Sequence, residues 1–325
     1  MNVPDFDNLP PVEGMPAGCA WGVFDKDGKK DLYGTLNHLT PDVVKAAAAE
    51  VKDGVSFSLN APMNLLDQLP MGRRKLEHKA FQVPFGGLGW DEDVAFNTQG
   101  SSQWDSLCHW QHQPTSLAYN GFKPTVEGLN TTSTAENPLP TLDHWHARGG
   151  LVARGVLIDF ASWAEETGVD FHPLNGYPIT VEQIEAVAAH QGVTFRPGDV
   201  FILRTGFPKV MAQPIEDIMS KLGAAKISGV ESSVKSAKWF WNQRFAAVAC
   251  DINAFECLGH TGGKLELVLH EHFLGLFGMS IGELWDLEKA AEYAKAHGRY
   301  TFLLTSVPLN ISSLVGSPPN ALAIF

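Results

Sequence analysis

The chain has 325 residues, 44% of them hydrophobic and 18% charged, with a formal net charge of −12 from 36 acidic and 24 basic side chains. That negative surplus repels nucleic-acid phosphates and anionic lipid, and the short basic run Gly72-Arg73-Arg74-Lys75 does not reverse it, so neither partner is expected. Residues 1–7 carry no basic-plus-apolar leader, no stretch nears the ~18 apolar residues of a membrane span, and Cys19, Cys108, Cys250 and Cys257 form no CxxC pair; the expectation is a cytoplasmic protein with reduced thiols.

Residues 1–35, rich in Pro, Gly and Asp, are expected to form an extended N-terminal arm over a body spanning 36–325. Thr40-Pro41 opens a helix, with Thr40 as cap and Pro41 at the first helical position. Val43, Val44, Ala47 and Ala48 give it an apolar face, and Gly54 stops it. Residues 55–60 alternate like a strand. The region 61–96, punctuated by Pro70, Pro84, Gly86, Gly87 and Gly89, reads as long loops able to line or cover a pocket. Residues 152–160 read as a buried strand. Thr180-Val181-Glu182-Gln183 is a capping box opening a helix to His190. After the turn Arg196-Pro197-Gly198-Asp199, residues 200–203 form a strand buried on both faces. A helix over 231–243, a strand over 246–250, helices over 265–276 and 284–297, and a closing strand over 301–309 follow. Strands alternating with helices predict one α/β domain.

The densest chemistry lies in Gln99-Gly100-Ser101-Ser102-Gln103-Trp104-Asp105-Ser106-Leu107-Cys108-His109. On a strand, Gln99, Ser101, Gln103 and Asp105 share a face, with His109 four residues beyond Asp105, while Trp104 points to the other side and into a core. Such a face could hold a metal ion and a water for a base to deprotonate; the same spacing also suits a solvated polar strand. His270-Glu271-His272 lies in a predicted helix. Its two histidines are i and i+2, so only one can point inward with Glu283, placed at the start of the next helix. A pair of surface histidines is the other reading. His144-Trp145-His146 reads as structural. Other chemistries find no support: Ser228 lacks the glycines of a nucleophile elbow, and Phe85-Gly86-Gly87-Leu88-Gly89 precedes no helix. Cys108 and His109, adjacent on a strand, point opposite ways.

Aligned on Asp105, the segment resembles the motif H-x-G-T-H-x-D-x-P-x-H of the cyclase-like metal-dependent hydrolases, which include bacterial kynurenine formamidase, isatin hydrolase and a dienelactone hydrolase. Asp105 and His109 match; Gln99 and Gln103 stand at the two earlier His positions, Ser101-Ser102 replaces Gly-Thr, and Leu107 replaces Pro. Tyr33-Gly34-Thr35-Leu36-Asn37-His38-Leu39-Thr40-Pro41, Tyr119-Asn120-Gly121, Arg154-Gly155-Val156-Leu157-Ile158-Asp159, Leu203-Arg204-Thr205-Gly206, Cys250-Asp251-Ile252-Asn253-Ala254-Phe255-Glu256, and the late Leu269-His270 and Gly282-Glu283 are similar to further family segments in the same order.

The resemblance implies a single α/β domain with a twisted mixed sheet or barrel-like β core flanked by helices. It implies a divalent metal, zinc or manganese, with Asp105, His270 and Glu283 as ligands, Gln99 and Gln103 at two further ligand positions, and His109 as the proton-transferring residue. The implied reaction is hydrolysis of an amide, cyclic amide or lactone in a homo-dimer or tetramer. Because an amide oxygen binds zinc less well than imidazole, three outcomes are open: one metal on Asp105, His270 and Glu283, ligation through Gln103, or no metal. Trp90, Trp104 and Tyr119 are candidate contacts for a flat small-molecule substrate, although core burial is the common fate of such rings. Two other functions fit the same fold: a metal-free small-molecule binding protein, and a metal-assisted isomerase or cyclase.

Overall fold

In the computed structural model, which describes residues 3–65, 72–83, 86–212, 226–258 and 267–325, the apolar run beginning at Val200 becomes the middle strand of a nine-stranded sheet. In chain order the strands are β1 (Ser56–Ser58), β2 (Glu77–Gln82), β3 (Trp90–Ala95), β4 (Gln103–Asp105), β5 (Leu151–Asp159), β6 (Pro178–Ile179), β7 (Val200–Arg204), β8 (Gly229–Val230), β9 (Ala247–Cys250), β10 (Ile281–Glu283), β11 (Thr301–Ser306), β12 (Gly316–Ser317) and β13 (Ala321–Ile324). The large sheet has the order β1-β13-β11-β5-β7-β9-β10-β4-β12. Its centre, β5-β7-β9-β10, is parallel, and the flanks are antiparallel. The result is a single α/β domain built on a large, curled, mixed sheet flanked by helices.

Alternation along the central strands sorts their side chains between two cores. Phe201 and Leu203 of β7, with Val248 and Cys250 of β9, enter one cluster; Val200 and Ile202, with Ala247 and Ala249, enter the other. The first core is rich in phenylalanine. Phe201, Phe240, Phe255 and Phe273 meet there edge-on, which brings the helix Val234–Gln243 and the helical segment after residue 267 onto that face. The N-terminal residues are built into it as well. Val3, Phe6, Cys19, Ala20 and Phe24 are buried there, and Trp241 Nε1 donates to the Pro4 carbonyl at 2.9 Å.

Thr40 caps Pro41–Ala48, and Thr180 with Gln183 closes a reciprocal capping box at Val181–His190, as their sequences predict. Several boundaries differ. The first helix ends at Ala48, well before Gly54. The region 61–96 is not wholly loop: β2 and β3 pair into a separate, exposed two-stranded hairpin. Alternating charged residues hide a strand signal there, because neither face is apolar. Residues 66–71 and Pro84-Phe85 of that region lie outside the described residues. The helix over 231–243 starts at Val234, capped by the Ser233 hydroxyl. Residues 265–266 of the next helix also lie outside the described residues; it runs as Val268–His270 and continues with π-type winding over Glu271–Phe277. Glu283 is not a helix start but the last residue of β10, and its helix begins only at Glu288. The strand over 301–309 stops at Ser306 and does not close the chain; β12 and β13 follow. Among the described residues no helix is long and apolar enough to cross a membrane.

Candidate metal centre

β4 is only three residues long, yet it fixes the geometry of the site. It is antiparallel to β10, with Gln103 opposite Glu283, Trp104 opposite Gly282 and Asp105 opposite Ile281. Directly opposed residues on one face come within side-chain contact. Gln103, Asp105 and Glu283 therefore meet on one side of the sheet. Trp104 turns to the other, where it packs against Trp145 and Trp285 and donates to Ser306 Oγ at 2.8 Å. Gly282 is required for this packing, since a Cβ there would sit 2.9 Å from the Trp285 ring and from Ala249.

His270 comes down onto this face from the helical segment above. Its Nε2 lies 3.3 Å from Glu283 Oε1. Asp105, His270 and Glu283 are all buried, and each offers a ligand atom within 4.8 Å of the others. Glu256 supports the cluster from behind: its carboxylate accepts from His270 Nδ1 at 2.9 Å and from the backbone N–H groups of Leu269 and His270 at 2.8 Å. The carboxylate thus caps the start of the helical segment and holds Nε2 toward Glu283. The Ala254 N–H donates to Glu283 Oε1 at 2.9 Å. Ala254, Phe255 and Leu284 all have positive φ, at 79°, 49° and 56°. This conformation disfavours side-chain-bearing residues, and such strain concentrates at functional sites.

The charges are unbalanced. Burial pushes the Asp105 carboxyl above its usual range, opposed by His109 and reinforced by Glu283. Burial would lower His270, but its hydrogen bonds to the Glu256 and Glu283 carboxylates overcome it and raise the imidazole to about 10. Three buried carboxylates thus face one imidazole. Two acceptors, Asp105 Oδ2 and Gln103 Oε1, are buried with no hydrogen-bond donor. A buried polar atom left without a partner costs roughly 1–3 kcal/mol. Two carboxylates and an imidazole, with orphaned oxygens beside them, fit a divalent cation.

The other expected site residues are placed unevenly. Gln99 lies at the cluster: its Nε2 donates to Asp105 Oδ1, and its Oε1 accepts from Gln103 Nε2 at 3.1 Å. His109 Nδ1 is 3.9 Å from Asp105 Oδ1, and its side chain is 23% exposed, at the boundary between the buried cluster and solvent. Ser101 turns away and donates to the Pro62 carbonyl at 2.9 Å. His272 is not at the site; its Nδ1 is bonded to the Val268 carbonyl. Trp104 and Tyr119 do not serve as substrate contacts, because both are fully buried core side chains and Tyr119 donates to Asp31 Oδ2. Trp90 is 72% exposed on the hairpin, and no described contact joins it to the cluster. Cys108 is buried, and burial together with Asp143 pushes its thiol up to about 12, which removes it as a nucleophile. Two further residues stand at the site. Glu256 is one, separated from His270 by 14 positions with no spacing signature. Trp110 is the other; its ring meets His270 edge-on at 6.4 Å and its buried Nε1 has no acceptor.

The family model for cyclases matches residues 32–257, more than two thirds of the sequence. The chain belongs to the cyclase family. Asp105, His109 and Glu256 fall inside the matched span, and His270 and Glu283 beyond it. Among solved structures, a cyclase is 28% identical with a TM-score of 0.79, over 94% of this chain and 99% of that one. Isatin hydrolase A from Labrenzia aggregata, bound to benzyl benzoate, is 16% identical with a TM-score of 0.58, over 89% of this chain and 98% of that one. An isatin hydrolase bound to the product analogue thioisatinate is 16% identical with a TM-score of 0.57, over 86% and 95%. The two isatin hydrolases share the fold. No curated protein matches the chain.

Proposed function

We infer that this cyclase-family protein is a metal-dependent hydrolase that opens an amide, cyclic amide or lactone. The observation that carries the reading is the buried meeting of Asp105, His270 and Glu283 beside two unpartnered oxygens. Those three side chains would hold the ion, zinc or manganese. A divalent ion bound there supplies Lewis-acid polarisation of a carbonyl and acidifies a water from a pKa of ~15.7 toward ~7.

The remaining steps belong to the protein. His109, beside Asp105 and partly open to solvent, accepts a proton from the attacking water and returns it to the leaving group. Trp110, whose ring meets His270 edge-on, offers an unpartnered N–H suited to orient a carbonyl oxygen. Glu256 holds the His270 ring so that Nε2 stays directed inward. The likeness in fold to an isatin hydrolase supports beginning with flat cyclic amides, then lactones and aryl formamides.

The test is metal content of protein purified without chelator, followed by turnover of those substrates with added zinc or manganese. Stoichiometric metal and metal-dependent ring opening support the reading. Protein that neither carries nor responds to a divalent ion, and that a small-molecule ligand stabilises against heat without being converted, would instead be the metal-free binding protein.

A further inference from the structure

The two glutamines at the centre are polarised by their neighbours. A carboxylate oxygen only accepts hydrogen bonds, so Gln99 must turn its NH₂ toward Asp105 Oδ1, which leaves Gln99 Oε1 to accept from Gln103 Nε2 at 3.1 Å. Gln103 Nε2 also donates to Glu283 Oε2 at 2.9 Å. Both protons of the Gln103 amide are thereby committed, and its Oε1 is left buried without a donor. These bonds use one oxygen of each carboxylate, Asp105 Oδ1 and Glu283 Oε2. Asp105 Oδ2 remains unpartnered, and Glu283 Oε1 faces His270 Nε2.

We propose that Gln103 Oε1 is a fourth metal ligand beside Asp105, Glu283 and His270, and that this three-oxygen, one-nitrogen site shifts preference from zinc toward harder divalent ions such as manganese. The inference rests on the metal reading given above and deepens it. Gln99 is a positioning residue: its amide sets the direction of the Gln103 amide and takes no part in ligation. Carboxylate and carbonyl oxygens suit manganese and magnesium, whereas added imidazoles favour zinc. A neutral amide also adds no charge to a centre that already holds three carboxylates.

The test is direct ion binding by the chelator-stripped full chain. Free Mn²⁺ is read from its paramagnetic resonance signal, Zn²⁺ from competition with a chromophoric chelator, and Co²⁺ coordination from the visible spectrum. The wild type should bind one equivalent of each ion. Gln103→Ala should weaken Mn²⁺ by at least about tenfold, and Gln103→His should raise the Zn²⁺-to-Mn²⁺ affinity ratio by about 10–100-fold and change the cobalt bands. Gln99→Ala should lower Mn²⁺ affinity less than Gln103→Ala does. Melting of the stripped variants checks that each is folded. If Gln103→Ala and Gln103→His bind all three ions as the wild type does while Asp105→Asn binds none, Gln103 is no ligand and the metal-dependent function still stands. If the wild type itself binds no ion, both readings fall together.

Discussion

Glu256 grips His270 twice, accepting from the backbone N–H at 2.8 Å and from Nδ1 of the same residue at 2.9 Å. One carboxylate thereby sets both where the helical segment begins and which imidazole nitrogen is free to face Glu283. Replacing Glu256 by Gln keeps the shape and removes the charge. Loss of an outer-shell partner of this kind lowers metal affinity by about 10–100-fold. Competition titration of the Glu256→Gln variant checks this; unchanged affinity at unchanged stability would remove Glu256 from the centre.

His109 is the nearest described imidazole on the solvent side of Asp105. His109→Ala should lower kcat by roughly 10²–10⁴-fold on any true substrate while leaving bound metal at wild-type stoichiometry. Turnover in ¹⁸O-labelled water separates hydrolysis from isomerisation. Label in the product identifies hydrolysis, and its absence identifies a metal-assisted isomerase.

The tryptophans should divide cleanly. Trp104 is fully buried between two other indoles, so Trp104→Ala should cost about 3–5 kcal/mol in denaturant unfolding. Trp90, 72% exposed, should change stability by no more than about 0.5 kcal/mol when cut to Ala. A large fall in kcat/KM for Trp90→Ala, with stability unchanged, would restore it as a substrate contact.

His38 should make stability fall with acid. Burial, assisted by the Arg244 charge, lowers its imidazole from 6.5 to about 4. The unfolded chain therefore takes up this proton first, and the folded state loses up to about 3 kcal/mol as pH falls from 6.5 through 4, less for any exposed part of the ring. Asp251 acts in the opposite direction: burial raises it from 3.8 to about 6 despite its bonds from Thr205 and Gly206, so its contribution falls as pH rises through that window. The diagnostic quantity is thus the difference in unfolding free energy between wild type and His38→Phe, which should shift in favour of the wild type as pH rises from 4 to 6.5. Parallel curves for the two proteins would refute the assignment.

Much of this was legible from residue order. The apolar run at 200–203 and the caps at Thr40 and Thr180 depend on local rules, and the structure follows them. The family resemblance is borne out by the family match, and the structure brings Asp105 of that segment together with His270 and Glu283. Glu283 reads as a helix start because it precedes a helix-forming stretch; its strand character comes from the pairing of β10 with β4 and β9, which no local pattern announces. The burial of Trp104 and Tyr119 is not legible from ring content, which says nothing about which face of an element is dry. Glu256 carried no signal because its partner is brought to it by the turn at Ala254-Phe255, whose left-handed backbone nothing in those residue types foretells.

The π-wound segment Glu271–Phe277 is tied at both ends. Glu256 clamps its beginning, and its far end stops at Gly278, where even a methyl group would strike Gly34 and the Tyr119 ring. Between two such moorings the helix behaves as a spacer of set length. Removing or adding a single residue would have to draw His270 away from Glu283 or tear Gly278 from its seat. Relatives that keep this chemistry should therefore keep the number of residues here.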